Sequence, residues 1–351
     1  MGVDAQKASK TLSARSIWLP LAIALIMVTL IIWQDDRITA ESIGAMTKLP
    51  IATLFLAVLV LVLKDLFNML RLRFLSSKEF GLTSVFYVVI LWEFAIAVTP
   101  PIIGATAVLV FIMFKEGLSF GKALAYTMLA AMMDNLFFLT AGPLALWLSD
   151  GAVLPDNGDF NARFENGVSY FFYLSYGMVF FYTFFMASAI LIMPKTIKKL
   201  VKALMSLRFL KRWQEPVLKQ SDELILASRV LKGKRPGFWL GLLGLTYVFW
   251  AFKYGIVNVL IAGFVPVDLG GHLLILGRHL VLWLVMLVSP SPGNAGSAEF
   301  LFPVFYEDFL GNDTFAVSLI WRFLTYYPYL IFGALLLPKW GKRVMANPKS
   351  D

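Results

Sequence analysis

The chain is expected to fold as an all-α polytopic membrane protein, with about six full transmembrane helices and two re-entrant helical hairpins arranged as an inverted repeat. Three observations predict this. Of 351 residues, 59% are hydrophobic and only 15% charged, and mean hydropathy is +0.75. Ordinary soluble domains run at about 45–50% apolar and about 25% charged. Long apolar stretches recur at intervals, and two of them are interrupted by proline and glycine. The charges between stretches alternate in sign from one connection to the next. With no cysteine, disulfides and thiolate metal sites are excluded. Two histidines, His272 and His279, leave little for an imidazole metal centre, and no metal or other cofactor is expected.

The candidate full spans are 17–33, 50–67, 122–149, 168–193, 237–262 and 314–337. Each is near or above the ~17–25 residues that a tilted helix needs to cross. The first follows a basic flank, as a signal peptide would. Its apolar run ends in Trp33-Gln34-Asp35-Asp36 with no small-residue cleavage site, so a retained span is expected. Two further apolar regions are broken. Thr99-Pro100-Pro101, with Gly104 after it, divides 84–114, and Ser289 to Phe300, SPSPGNAGSAEF, divides 272–306. Arms of about 14–17 residues reach roughly 20–25 Å at ~1.5 Å per residue. That passes the bilayer midplane without comfortably crossing, hence the reading as hairpins. The plainer alternative is eight short helices kinked at proline.

Loop charges orient the chain by the positive-inside rule. With the N-terminus in the cytoplasm and each hairpin returning to its own side, segments 1–16, 68–83, 115–122, 195–236 and 338–351 lie inside and hold 24 Lys/Arg and 7 Asp/Glu. Segments 34–48, 150–166, 263–271 and 303–313 lie outside and hold 3 Lys/Arg and 11 Asp/Glu. Both termini are thus expected in the cytoplasm. Span, span, hairpin, span then occurs twice within one membrane domain covering 1–351. The first repeat is 17–149. The second is 168–337, inverted, and interrupted by a basic connector at 195–236. Inverted repeats with broken helices are a transporter architecture. The connector carries net +9, equal to the whole chain. Its first part, 195–213, reads as an amphipathic helix on the inner leaflet, either as an anchor or in contact with anionic lipid. It matches no nucleic-acid-binding fold, so no nucleic-acid partner is expected.

Six charges fall well inside spans or hairpins: Glu93, Asp134, Lys253, Arg278, Glu299 and Arg322, with His279 among them. Lys64 and Asp65 sit at a span end. Intramembrane ionisable groups are costly and point to function by default, although buried pairs or helix caps account for them equally well. At the second break Ser291, Gly293, Asn294 and Gly296 offer neutral hydrogen-bonding groups and freed backbone, and Thr99 does so at the first. A helix restarting after Gly293 or Gly296 aims free N–H groups at an anion. Glu299 is placed to accept a cation or proton, or to pair with Arg322. Arg278, His279 and Lys253 are secondary candidates, Arg278 and His279 as groups near an outer mouth.

The run Ser291 to Glu299, Ser-Pro-Gly-x-x-Gly-x-x-Glu, resembles the C-terminal signature of the lysylphosphatidylglycerol synthase/flippase-like membrane family. That family usually shows Pro-Gly-Gly-x-Gly-x-x-Glu, and Asn294 stands here in place of the second glycine. The stretch from Thr99 to Asp134 and the arginine in WRFLTYYPYLIFG, Arg322, are similar to the family's first-half and late elements. The resemblance implies a multispanning protein of the bacterial plasma (inner) membrane, related to the family's lipid-flipping membrane part. The family's soluble aminoacyl-transferase domain has no counterpart in these residues, so no enzyme activity is carried over. A flippase moving a phospho- or amino-headgroup lipid is the leading expectation, with membrane lipids as partners. Glu299, Asp134 and Arg322 would hold the headgroup or a coupling proton, and the oligomeric state is left open. The alternatives are an ion- or proton-coupled transporter of undecaprenyl phosphate or a small polar solute, a headgroup enzyme using Glu299 and His279, and a scaffold without transport.

Overall fold

A computed structural model describes residues 44–99, 105–156, 167–188, 231–289 and 291–346, with scattered positions between 196 and 225. The described residues are helical, without strands. Among the described residues, ten α-helices follow in order: α1 Ile51–Leu75, α2 Leu82–Val98, α3 Ala105–Lys115, α4 Phe120–Leu148, α5 Gly167–Ala187, α6 Pro236–Phe264, α7 Leu269–Met286, α8 Ser297–Leu310, α9 Thr314–Thr325 and α10 Tyr327–Ala346. The expected span at 17–33 and most of the connector at 195–236 lie outside the described residues.

The helix ends follow local chemistry. Thr99 precedes Pro100 and is extended (φ −124°, ψ 152°), which ends α2; its Oγ1 donates to the Ala95 carbonyl at 2.6 Å. Ser119 caps α4 through Lys122 N, and Asp268 caps α7 through Gly271 N at 2.8 Å. Pro236 occupies the first position of α6, where its missing N–H costs nothing. Between α7 and α8 lies a short 3-10 turn, Pro292–Asn294. Gly293 (φ 57°), Asn294 (φ 55°) and Gly296 (φ 84°) are left-handed there, so the chain reverses before α8 restarts.

Two boundaries differ from expectation. The first described span does not end at Phe67; α1 continues to Leu75. Lys64, Asn68 and Arg71 are each at most 2% exposed, because they turn to the bundle interior and not to a loop. The expected span 314–337 divides at Tyr326. Pro328 supplies no N–H for the Leu324 carbonyl, so the helix restarts one residue earlier, at Tyr327. Among the described residues, six helical stretches are long and apolar enough to cross a membrane: 51–75, 120–148, 167–187, 236–264, 269–286 and the divided run 297–346. Thus α7, expected as a hairpin arm, meets the length of a span.

α1 lies along α6, with Phe67 stacked on Phe252 and Phe74 on Phe238 at 5.2 and 5.3 Å. Gly263 permits the approach: a Cβ there would sit 2.6 Å from both Leu49 and Thr53 side-chain carbons. Small residues at crossings serve packing between helices in lipid. Around this pair the contacts recur. α1 meets α2 as α6 meets α7; α2 meets α3 as α7 meets α8; α3 meets α4 as α8 meets α9; α2 meets α10 as α7 meets α4. One apolar cluster centres on α6, α7, α8 and α9, and a second on α2, α3 and α4. Outward faces are apolar as well. Phe55 and Phe181 are each 71% exposed, and Phe184, Leu59 and Leu335 also face outward. A helical bundle with an apolar rind and charges inside is the pattern a bilayer solvent selects.

Candidate functional site

The two helix breaks meet. Gly293 N donates to the Thr99 carbonyl at 3.4 Å, and Tyr326 Oη donates to the Ala97 carbonyl at 3.3 Å. A Cβ on Gly293 would lie 2.6 Å from the Ala97 oxygen and run into the Tyr326 ring, so only glycine lets the breaks touch. Beside this contact is a cavity that is partly open to the outside. Its ionisable lining is Lys64, Glu93, Lys253, His279 and Arg322, with Asn294 and Tyr329 among the neutral polar groups. Leu61, Ile96, Ile256, Trp283 and Trp321 supply much of the apolar wall.

Three charge clusters surround it. In the first, Lys64 Nζ donates to Glu93 Oε1 at 2.8 Å and to Tyr329 Oη at 2.7 Å, and lies 2.9 Å from Asp65 Oδ1. Tyr329 passes a hydrogen bond to Asp65 Oδ2 at 2.8 Å. This cluster ties α1, α2 and α10 together. In the second, Arg322 Nε donates to Glu299 Oε1 at 2.7 Å, and both Nη atoms reach the Gly293 carbonyl at 3.3 Å. Glu299 Oε2 accepts from Gly296 N at 2.7 Å, closing the N-terminus of α8. Arg322 also covers the Tyr326 ring at 4.1 Å. In the third, Asp134 Oδ1 takes both an Arg71 guanidinium N–H and, at 2.8 Å, the Trp250 indole N–H.

The residues expected to bind a headgroup therefore divide. Glu93, Gly293, Asn294, Arg322, Lys253 and His279 line the cavity. Glu299 stands behind Arg322 with both oxygens engaged; its place is to hold the arginine and the break, not to face the cavity. Gly296 shapes the turn, and Ser291 joins Ser289 and Ser297 in a hydroxyl cluster at 2.6–3.1 Å. Thr99 contributes its carbonyl to the junction. Asp134 sits off the cavity in its own pair. Arg278 is also elsewhere, on Asp308 at 2.6 Å and the carbonyls of Phe305 and Ala152 at 2.8 and 3.2 Å. His279 Nδ1 is 3.0 Å from the Tyr306 hydroxyl. Among the described residues, no group of three or more His, Asp or Glu is placed to hold a metal.

Lys64, Arg71 and Tyr329 are the residues that sequence reasoning left out of the site. Lys64 and Arg71 are i and i+7 on α1, with Asn68 between them on the same face. That polar stripe at helical spacing was the available signal.

Comparison with known proteins agrees with this architecture. The family model for the lysylphosphatidylglycerol synthase TM region matches residues 17–333. A relative described as a UPF0104 membrane protein, from Archaeoglobus fulgidus, is 24% identical over 275 residues, covering 76% of each chain. No solved structure matches. With a model match running from the first apolar stretch into α10, the chain is a multi-pass helical membrane protein that belongs to the lysylphosphatidylglycerol synthase TM region family.

Proposed function

We propose that the protein is a lipid translocase that admits a polar headgroup into the cavity between the two helix breaks while the lipid's chains stay in the bilayer. One observation carries this reading. Ionisable side chains from α1, α2, α6, α7 and α9 converge on one cavity, at the point where two broken segments touch, inside a bundle whose outer faces are apolar. Charges at membrane depth are expensive and are retained where a polar cargo or ion passes. The recurring helix contacts support two inverted halves, 17–149 and 168–337, that rock about the α1–α6 seam to open the cavity to either side. In this reading α2–α3 and α7–α8 are the re-entrant hairpins, the termini are cytoplasmic and no covalent chemistry takes place.

The lining favours a polar headgroup over an apolar solute. Arg322 and Lys64 present cations already oriented by Glu299 and Glu93, so a bound headgroup meets fixed charges and not mobile ones. The test is movement of headgroup-labelled lipid in proteoliposomes. Arg322→Ala and Glu299→Gln are expected to abolish it while helical content is retained. Undiminished movement by both variants would sink the assignment. A small-solute transporter is the second reading, and uptake of solute with no lipid movement would favour it.

A further inference from the structure

At the end of the bundle where α2 begins and α3 and α10 finish, a carboxylate is buried in an unfavourable place. Glu116 directly follows α3, beside that helix's freed carbonyls, where the macrodipole disfavours negative charge. Its side chain is nonetheless only 2% exposed. What holds it comes from α10. Arg343 Nη1 donates to Glu116 Oε1 at 2.9 Å, and Trp340 Nε1 donates to the same oxygen at 2.8 Å. Arg343 Nη2 also reaches Ser84 Oγ at 3.1 Å, and its guanidinium lies 5.1 Å from the Tyr87 ring centroid. Thus α10 is fastened to both arms of the first broken segment. The partners are unequal. The Arg343 side chain is 34% exposed and can turn to water, whereas Glu116 left alone is a desolvated anion at a helix C-terminus. Such a contact favours two discrete arrangements, closed or parted, over a graded loosening.

The course of α10 lets this end move. Its first turn belongs to the cavity, where Tyr329 takes the Lys64 hydrogen bond at 2.7 Å. At Gly333 it crosses α2 so closely that a Cβ would run into Phe94. Pro338 follows inside the helix and supplies no N–H for the Ala334 carbonyl. Beyond it, Arg343 lies ~21 Å along the helix from Tyr329, at ~1.5 Å per residue. Between the cavity and Glu116 stands the second apolar cluster, in which Val88, Met113 and Trp340 are at most 2% exposed. An interior packed at crystal-like density passes no polar group, so a way out of the cavity at this end requires these side chains to part.

We propose that α10 beyond Pro338 is a gate arm, latched on Glu116 by Arg343 and Trp340, whose release opens the cavity to the end of the bundle that loop charge assigns to the cytoplasm. This rests on the translocase reading for the need to open, and the gate itself is tested without cargo.

The experiment uses the absence of cysteine from the chain, which makes any introduced thiol unique. Thr325→Cys places one in the cavity wall. In proteoliposomes sorted for one orientation, the full-length protein is labelled with a membrane-impermeant maleimide added at the Glu116 side. With the latch intact, labelling should be slow. Glu116→Gln and Arg343→Ala should each speed it at least about tenfold, as expected for loss of a charge-assisted contact that holds the closed form. Arg343→Lys should keep most of the protection. Trp340→Phe, which removes one donor and keeps a ring against Phe111, should raise the rate by a smaller factor. Adding Pro338→Ala to Glu116→Gln should slow labelling again, and an unchanged rate would overturn the hinge. Labelling from the opposite side should not rise; an equal rise from both sides means a loosened bundle and overturns the gate. So does unchanged labelling in Glu116→Gln, Arg343→Ala and Trp340→Phe. The two claims fail separately. Labelling that depends on Glu116 without any movement of headgroup-labelled lipid keeps the gate and removes the translocase. Lipid movement with labelling indifferent to Glu116 and Arg343 does the reverse.

Discussion

Glu299→Gln should destabilise the protein by about 3 kcal/mol, toward the lower end of the range for stripping one partner from a buried ion pair. Glu299 is 9% exposed and Arg322 6%, and their 2.7 Å contact is charge-assisted. Glutamine keeps the volume of the side chain and can still accept the Gly296 N–H through its one carbonyl oxygen. It then turns an NH2 toward the Arg322 Nε–H, so two donors face each other and the guanidinium loses its counter-charge. The Gly293 carbonyl at 3.3 Å and the Tyr326 ring at 4.1 Å remain. A cation–π contact of this kind is worth about 0.5–2 kcal/mol and limits the loss. Removing both charges in Glu299→Gln/Arg322→Met leaves no stranded cation. The double variant should therefore be more stable than the sum of the single changes implies, with a coupling of about 2 kcal/mol. Equilibrium unfolding in mixed micelles, followed by circular dichroism, gives all four corners of the cycle. A Glu299→Gln cost under about 0.5 kcal/mol, or a cycle without coupling, would refute the account of how this break is held.

Other consequences follow from the same geometry. Gly293→Ala must hold a left-handed residue, at about 1–2 kcal/mol, and must also push the Tyr326 ring and the Ala97 carbonyl apart. Its melting temperature should fall, and lipid movement should fall with it; a silent substitution would mean that the breaks do not touch. Asp134→Leu strands Arg71 and orphans the Trp250 N–H, so a loss of about 3–5 kcal/mol is expected by micellar unfolding. Lys48→Ala is the contrasting case. The Lys48–Asp313 bridge measures 2.8 Å, but the lysine side chain is 62% exposed, and the same assay should show about 0–1 kcal/mol.

Much of the fold was legible in the sequence because a bilayer imposes a simple rule on composition. Apolar runs of span length marked both ends of α4 and α6 and the starts of α1 and α5 within a few residues, and the prolines after Thr99 and around Ser291 marked both breaks. What was missed came from reading charge as a boundary. Lys64, Asp65, Arg71 and Arg73 made α1 look finished at Phe67, whereas Lys64 and Arg71 point inward and their charges are absorbed by Glu93 and Asp134. Partners on other helices are invisible to a one-dimensional scan. The division at Tyr326 had a signal in Pro328 that the apolar character of 314–337 hid. For the site, residue types were legible and roles were not. Arg322 and Glu93 reach the cavity, while Glu299 and Arg278 have near-identical local credentials and end in different surroundings. Those surroundings depend on how α7, α8 and α9 pack, and spacing along the chain does not specify that.

The central claim is that polar headgroups cross through the cavity where the breaks meet. It is tested most directly with vesicles carrying headgroup-labelled phospholipid in both leaflets, treated with a membrane-impermeant quencher. Reconstituted wild-type protein should bring the inner-leaflet label out, so that quenching runs to near completion. Arg322→Ala vesicles should stop at the outer-leaflet fraction, as protein-free vesicles do. Quenching by the variant as complete and as fast as by wild type would contradict the account.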